Sequence, residues 1–169
     1  SMEQLGLPPA TMRRRVEENI PASEVATQIK LGPGGLRDVE FSVQLLQLVH
    51  GRADESIRSA NTLEALEALS AGGYVGREHA TRLAECYRFL RVLEHRVQLH
   101  HLRRTHLMPT GEPELRRLAR TVGMRQGGVE ALGERWRQTR RDVRSLHEVL
   151  YYRPLLPATA QLSPEEVVL

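Results

Sequence analysis

Apolar residues that recur every three to four positions, between breaks of glycine and proline, constrain this chain more than any other feature. The clearest run covers about 77–102, where Leu83, Tyr87, Leu90, Leu93 and Val97 form one stripe and Phe89, Val92 and Leu99 widen it. That spacing predicts a single long helix. Over 36–50 the pattern is denser: Leu36, Val39, Phe41, Val43, Leu45, Leu46, Leu48 and Val49, ended by Gly51. A helix apolar on nearly every side is expected to be buried. Shorter helices are predicted over about 59–70 (Leu63, Leu66, Leu69, then Gly72-Gly73) and 112–121 (Leu115 and Leu118 inward). A last long one over about 129–151 carries Leu132, Trp136, Val143, Leu146 and Leu150 on its face, and Pro154 and Pro157 break it. Near the start, 11–20 gives a short charged helix with Met12, Val16 and Ile20 on one stripe, stopped by Pro21. Apart from an extended approach at 27–31, no strand pattern and no repeat is present. The expected fold is all-α, a helical bundle of five to seven helices.

At 169 residues the chain is about one domain, rich in Leu, Arg, Glu and Ala and poor in aromatics (4%), which is helix-former composition. The formal charge is only +3, but the pI is near 9.5 because arginine far outnumbers lysine. Arginine suits phosphate and carboxylate partners, although arginines on solvated helix faces explain the same excess. The basic pairs Arg103-Arg104 and Arg140-Arg141 lack interleaved aromatics, so a nucleic-acid groove is not expected. One cysteine, Cys86, excludes an internal disulfide framework and a cysteine-based metal site; it reads as a small core residue in a reducing compartment. No apolar run approaches the roughly 20 residues of a membrane span and no signal peptide is visible, so a cytoplasmic location without membrane contact is expected. Ser1-Met2 resembles a remnant of tag removal. The expected division is 1–9 as tag remnant and leading loop, 10–155 as the helical bundle, and 156–169 as linker and the start of a next segment, with Ser163 as its helix cap.

Within this framework one stretch carries unusual chemistry: Lys30-Leu31-Gly32-Pro33-Gly34-Gly35-Leu36-Arg37-Asp38-Val39-Glu40-Phe41. Glycines around a proline allow positive φ and close backbone approach, and a helix opening after such a turn presents N–H groups that favour anions. It is not a P-loop, since no Gly-Lys-Ser/Thr follows, and it lacks the dinucleotide fingerprint. Two readings stay open: a tight helix N-terminus, or a phosphate cradle made by Gly32, Gly34 and Gly35 with Lys30 and Arg37 bracketing it. Asp38 and Glu40 weigh against the second unless a cation is present, and they also offset the helix dipole. Arg37, Glu40, Gln44 and Gln47 share one stripe, and Arg91, Glu94 and Gln98 form a similar one. Two such stripes predict an inter-helix network in which each Arg answers the other helix's Glu. His100, His101 and His106 do not make a convincing metal site, and no serine, histidine and aspartate pattern supports hydrolase chemistry.

The stretch at 30–41, continued by Val43-Gln44, resembles the Lys-Leu-Gly-x-Gly-Gly-Ile/Leu-Arg-Asp/Glu-Ile/Val-Glu-Phe signature of bifunctional glutamine synthetase adenylyltransferase/adenylyl-removing enzymes. Phe89-Leu90-Arg91-x-Leu93-Glu94 with Gln98 resembles the family's second helical signature, and Thr105-His106-Leu107-Met108-Pro109 falls where the family has a Thr-x-x-Leu-Pro-like turn. The resemblance covers about 10–155. It implies the helical domain that follows a nucleotidyltransferase domain, with the uninterrupted glycine motif closer to the N-terminal, adenylyl-removing half. In such enzymes one half moves AMP from ATP to a tyrosine of glutamine synthetase. The other removes it by phosphorolysis, releasing ADP, under control of glutamine and the PII signal protein. The Gly-Ser and paired-aspartate metal motif has no counterpart here, so the resemblance places Mg²⁺ and ATP/ADP on a nucleotidyltransferase domain of the same chain upstream. It implies no catalytic residue and no metal in this stretch, no tightly bound cofactor, and no turnover by it alone. Lys30, Gly32, Gly34, Gly35, Arg37 and Asp38 would line the phosphate cleft, and Glu40, Gln44, Arg91, Glu94 and Gln98 would support it. The alternative is a non-catalytic module that docks glutamine synthetase or the PII protein.

Overall fold

A computed structural model describes residues 19–101 and 105–152. They form five α-helices and one 3-10 turn: α1 (Leu36–His50), the 3-10 turn (Glu55–Ile57), α2 (Thr62–Ala71), α3 (Arg77–His101), α4 (Glu112–Thr121) and α5 (Gly128–Tyr152). The fold is all-helical. The helix expected over 11–20 lies, but for its last two positions, outside the described residues, as do Arg103-Arg104 and the cap at Ser163.

Local chemistry sets the boundaries. The α2 helix starts three residues later than its apolar spacing suggests because Asn61 is its cap: the side-chain oxygen accepts from the Leu63 and Glu64 amides at 3.0 and 3.1 Å. Pro113 sits in the first turn of α4, where its missing N–H costs nothing. Before α1, the approach at 27–29 pairs with the extended segment after α3 through one isolated bridge. The Ile29 amide donates to the His106 carbonyl (2.6 Å) and the Met108 amide to the Thr27 carbonyl (2.8 Å), around an antiparallel bridge of Gln28 and Leu107.

The α5 helix packs against α1, α3 and α4, while α2 closes the far side against α1 and α3. The shared core holds Leu36, Val39, Val43 and Leu46 of α1, Leu83, Leu90, Leu93 and Val97 of α3, and Leu132, Trp136, Val143, Leu146 and Leu150 of α5. Each such aliphatic side chain contributes about 1.5–3 kcal/mol by leaving water. Two expectations need correction. The α1 helix is not buried all round: Leu48 and Val49 are exposed and Phe41 and Leu45 only half-buried, because α2, α3 and α5 leave part of its circumference uncovered. On α3, Val92 and Leu99 face outward and do not widen the core.

Candidate functional site

The glycine stretch forms a knot of backbone bonds wedged between α5 and the extended segment 105–108. Lys30 and Leu31 amides donate to the side-chain oxygen of buried Gln28 (3.3 and 3.4 Å). The Gly35 amide donates to Gly32, Leu36 to Ile29, Arg37 to Lys30 and Asp38 to Gly35, at 2.9–3.2 Å. The Gly34 amide donates to Asp38 Oδ2 at 2.7 Å. Thus every amide from Ile29 to Asp38 except that of Gly32 is already used, Pro33 having none. The fan of free N–H donors that a phosphate cradle needs is absent from this conformation, which is the tight-helix-start reading.

The glycines are required by contact as well as by conformation. Gly34 has φ +73°, and a side-chain carbon there would lie 2.7 Å from the Cα of Arg140 and 2.8 Å from its carbonyl carbon. One at Gly35 would sit 2.9 Å from the carbonyl oxygens of both Gly32 and Lys30. Arg140, on α5, clasps the turn from outside. Its guanidinium donates to the carbonyls of Pro33 (2.9 Å), Ala26 (2.8 Å) and Val25 (3.2 Å), and it lies over the Trp136 ring at 5.2 Å. Burial pulls its pKa below the ordinary arginine value, offset in part by the charge of Asp38. Asp38 itself is buried, with the Arg144 guanidinium 3.9 Å from its carboxylate. A buried carboxylate that accepts an amide and faces two arginines is satisfied where it stands.

One turn on, Ser42 Oγ donates to the Asp38 carbonyl and lies 2.8 Å from His147 Nδ1, both side chains buried. With that hydroxyl proton directed to the carbonyl, His147 Nδ1–H is the donor to Ser42. The pair joins α1 to α5 and leaves no exposed nucleophile.

The predicted exchange between the two Arg/Glu/Gln stripes does not form. Arg37 pairs with Glu40 (3.4 Å) and Arg91 with Glu94 (3.2 Å), each within its own helix. Glu94 is buried, and its other oxygen is 2.7 Å from His106 Nδ1 on the returning segment after α3. That segment, rather than α1, supplies the partner of Glu94. Gln44 is exposed, Gln98 half-buried, and Gln47 donates to the carbonyls of Ile57 and Ser59 (2.8 and 2.7 Å), tying the 3-10 turn to α1.

Lys30 and Arg37 differ from the rest of the motif. Lys30 is the chain's single lysine, and its ammonium makes no hydrogen bond or ion pair among the described residues. Arg37 is about one-third exposed, and among the described residues its side chain is held by Glu40 and the Phe41 ring at 5.7 Å. The Arg37 amide donates to the Lys30 carbonyl, so both side chains leave the turn from adjoining backbone. Sequence reasoning missed Arg140 as the clasp. The signal was the spacing of Arg137, Arg140, Arg141 and Arg144, which puts four arginines on one side of α5. Cys86 is buried, and desolvation pushes its thiol up to about 11, which suits an inert core residue.

Residues 10–151 match the family model described as GlnD PII-uridylyltransferase. A protein of Streptomyces coelicolor named bifunctional glutamine synthetase adenylyltransferase/adenylyl-removing enzyme is 65% identical over 155 residues, 92% of this chain and 16% of that protein. Proteins of the same name from Leifsonia xyli and Nocardia farcinica are 54% and 52% identical, over 92% and 91% of this chain and 15% and 16% of theirs. The chain therefore spans about one-sixth of the length of these relatives.

Proposed function

The chain belongs to the GlnD PII-uridylyltransferase family, and from that membership we propose that it is the helical wall of a protein-modifying nucleotidyltransferase. The activity is that of the similar bifunctional enzymes. AMP passes from ATP to a tyrosine of glutamine synthetase and is removed by phosphorolysis, under the PII signal protein. The uninterrupted glycine motif favours the adenylyl-removing half.

One observation carries the reading. In a turn whose amides and carboxylate are internally satisfied, Lys30 and Arg37 remain as cations at the surface, mounted on rigid backbone. Fixed donors that need no reorganisation stabilise charge on a transferring phosphoryl group better than mobile ones do. Lys30 acts as a compact charge and Arg37 as a planar fork that can grip two phosphate oxygens. Magnesium does not fit in this wall. Asp38 is turned inward onto Gly34, and among the described residues no group of three His, Cys, Asp or Glu side chains converges on a point. On this reading Mg²⁺ and the acceptor chemistry belong to a nucleotidyltransferase domain of the same enzyme.

The docking alternative draws on Leu48 and Leu99, 61% and 53% exposed on α1 and α3. Direct binding of the chain to glutamine synthetase or to the PII protein would favour it.

The test is Lys30→Ala and Arg37→Ala in the full-length enzyme. Removing a charge-assisted phosphate contact costs about 1.5–3 kcal/mol, a fall in turnover of roughly 10- to 100-fold. The Arg37–Glu40 pair is exposed enough that its loss changes stability by under ~1 kcal/mol, about 2–4 °C in Tm for a chain of this size. Unchanged turnover in both variants overturns the reading, as does AMP transfer by the 169-residue chain alone.

A further inference from the structure

On the flank of the glycine turn away from its hydrogen-bonded interior, Pro33 and α5 bound an open groove of about 490 Å³, lined by Arg137, Arg140, Arg141, Arg144 and Glu148. Its volume falls in the range of about 300–1,000 Å³ of small-ligand sites, and four of its seven lining residues are arginines, with Pro33, Ser145 and Glu148 the others. Lys30 and Arg37 are not among the residues that line it.

We propose that this groove binds an oligophosphate, the phosphate chain of a nucleotide or free pyrophosphate, gripped by Arg137 and Arg141 with Arg140 fixed behind them. Three features support the assignment. Arg140 is immobilised by its three carbonyl bonds, so its charge is in place before any ligand arrives. Arg137 and Arg141 already converge on one anion at the groove's margin: their Nη2 atoms lie 3.1 and 3.0 Å from the two oxygens of the carboxylate of Glu134, which does not itself line the groove. Those hydrogen bonds hold the Glu134 carboxyl below its usual range. All three side chains are more than half exposed, so exchanging that carboxylate for a more highly charged phosphate costs little. Finally, guanidinium forks match phosphate oxygens two at a time, and a chain of phosphates can engage several forks. Glu148 and Asp38, the acidic groups nearest Arg144, oppose an anion there, which places the ligand toward the Arg137 and Arg141 end. The site stands apart from the Lys30 and Arg37 pair and does not depend on its role.

Titration calorimetry of the 169-residue chain at low salt, with pyrophosphate, ATP and AMP, tests it. Pyrophosphate and ATP are expected to bind with Kd on the order of 1 mM or tighter, and AMP at least about tenfold more weakly. Equal affinities for ATP and pyrophosphate identify the phosphate chain alone as the ligand, and tighter ATP binding identifies a nucleotide tail. The double variant Arg137→Ala/Arg141→Ala should weaken binding about tenfold or more. Glu134→Gln, which frees both forks without removing bulk, should tighten it several-fold. Arg116→Ala, which removes an exposed arginine of α4 that does not line the groove, should leave it unchanged. The proposal is overturned if pyrophosphate does not bind, if the arginine variant binds like the parent, if Glu134→Gln weakens binding, or if an oligoglutamate peptide binds as tightly as pyrophosphate. Loss of binding in Lys30→Ala or Arg37→Ala alone would overturn the groove and leave the nucleotidyltransferase reading standing.

Discussion

Replacing Gly34 by alanine separates the two demands that this position places on the chain. The first is conformational. At φ +73° a non-glycine residue costs about 1–2 kcal/mol. The second is steric. The added carbon would lie within 2.7–2.8 Å of the Arg140 backbone, well under van der Waals contact, and helix backbone cannot swing aside as a long side chain can. The turn must then lift off α5, which stretches the Arg140 bonds to Pro33, Ala26 and Val25, now 2.9, 2.8 and 3.2 Å. A charge-assisted bond is worth about 1.5–3 kcal/mol, and water regains part of each, so the two terms together come to about 3–5 kcal/mol. For a domain of this size that is a fall in Tm of roughly 8–15 °C. Gly73 is the matched control: its φ is +76°, but an added carbon there meets nothing within 4 Å. Gly73→Ala should cost only the conformational part, about 1–2 kcal/mol. Thermal melts followed by circular dichroism of the two variants and the parent give the comparison. If Gly34→Ala melts within ~2 °C of Gly73→Ala, the turn is not pinned to α5 and the account of the clasp is wrong.

Two other measurements test the interior. Cys86, moved from 9.0 to about 11 by burial, contributes stability that is fully present below pH ~9 and is lost as pH rises through ~11. Alkaline denaturation should therefore be steeper for the parent than for Cys86→Ala, by at most about 2–3 kcal/mol across that window; parallel pH profiles would refute the burial argument. Ser42→Ala removes the hydroxyl that accepts from His147 between α1 and α5 and should cost about 1–3 kcal/mol. The ¹⁵N shifts of His147 should report a changed Nδ1 environment in the same variant, and unchanged shifts would show that the pair does not form.

The helices were legible because their signals are local. Apolar period, glycine stops and a proline at a helix start all lie within one segment, and the predicted bounds 36–50 and 112–121 match α1 and α4. What could not be read depends on which segments meet. The outward turn of Leu48, Val49, Val92 and Leu99 follows from the neighbours of α1 and α3 leaving part of each helix's circumference uncovered, which no single helix encodes. The Glu94 partner was misjudged for the same reason. Spacing offers Arg residues on a parallel stripe, whereas the fold delivers His106 from the extended segment bridged to residues 27–29. Arg140 was read as one half of a solvated basic pair. Adjacent residues on a helix point about 100° apart, so Arg140 turns inward to the carbonyls while Arg141 stays out with Glu134 and Gln138.

That division changes what the glycine motif can be asked to do. A sequence with Gly32, Gly34 and Gly35 ahead of a helix suggests amides waiting for an anion, and the bond pattern shows those amides closing on their own turn. Internal closure makes the turn a rigid mount, and rigidity is what an exposed cation needs if it is to act without reorganising. The α5 arginines extend the same logic: Arg140 is spent on holding the turn, and in doing so it fixes a positive charge beside Arg137 and Arg141, whose exposed forks remain exchangeable. Under the two proposals above, the glycines govern anion handling on both flanks through side chains they position, so Gly34→Ala should impair the Lys30 and Arg37 pair and the arginine groove together. Side-chain variants on either flank should impair only their own. Calorimetry on Gly34→Ala at a temperature where it remains folded checks the groove half of this coupling, with unaltered pyrophosphate affinity as the result that would separate the two flanks.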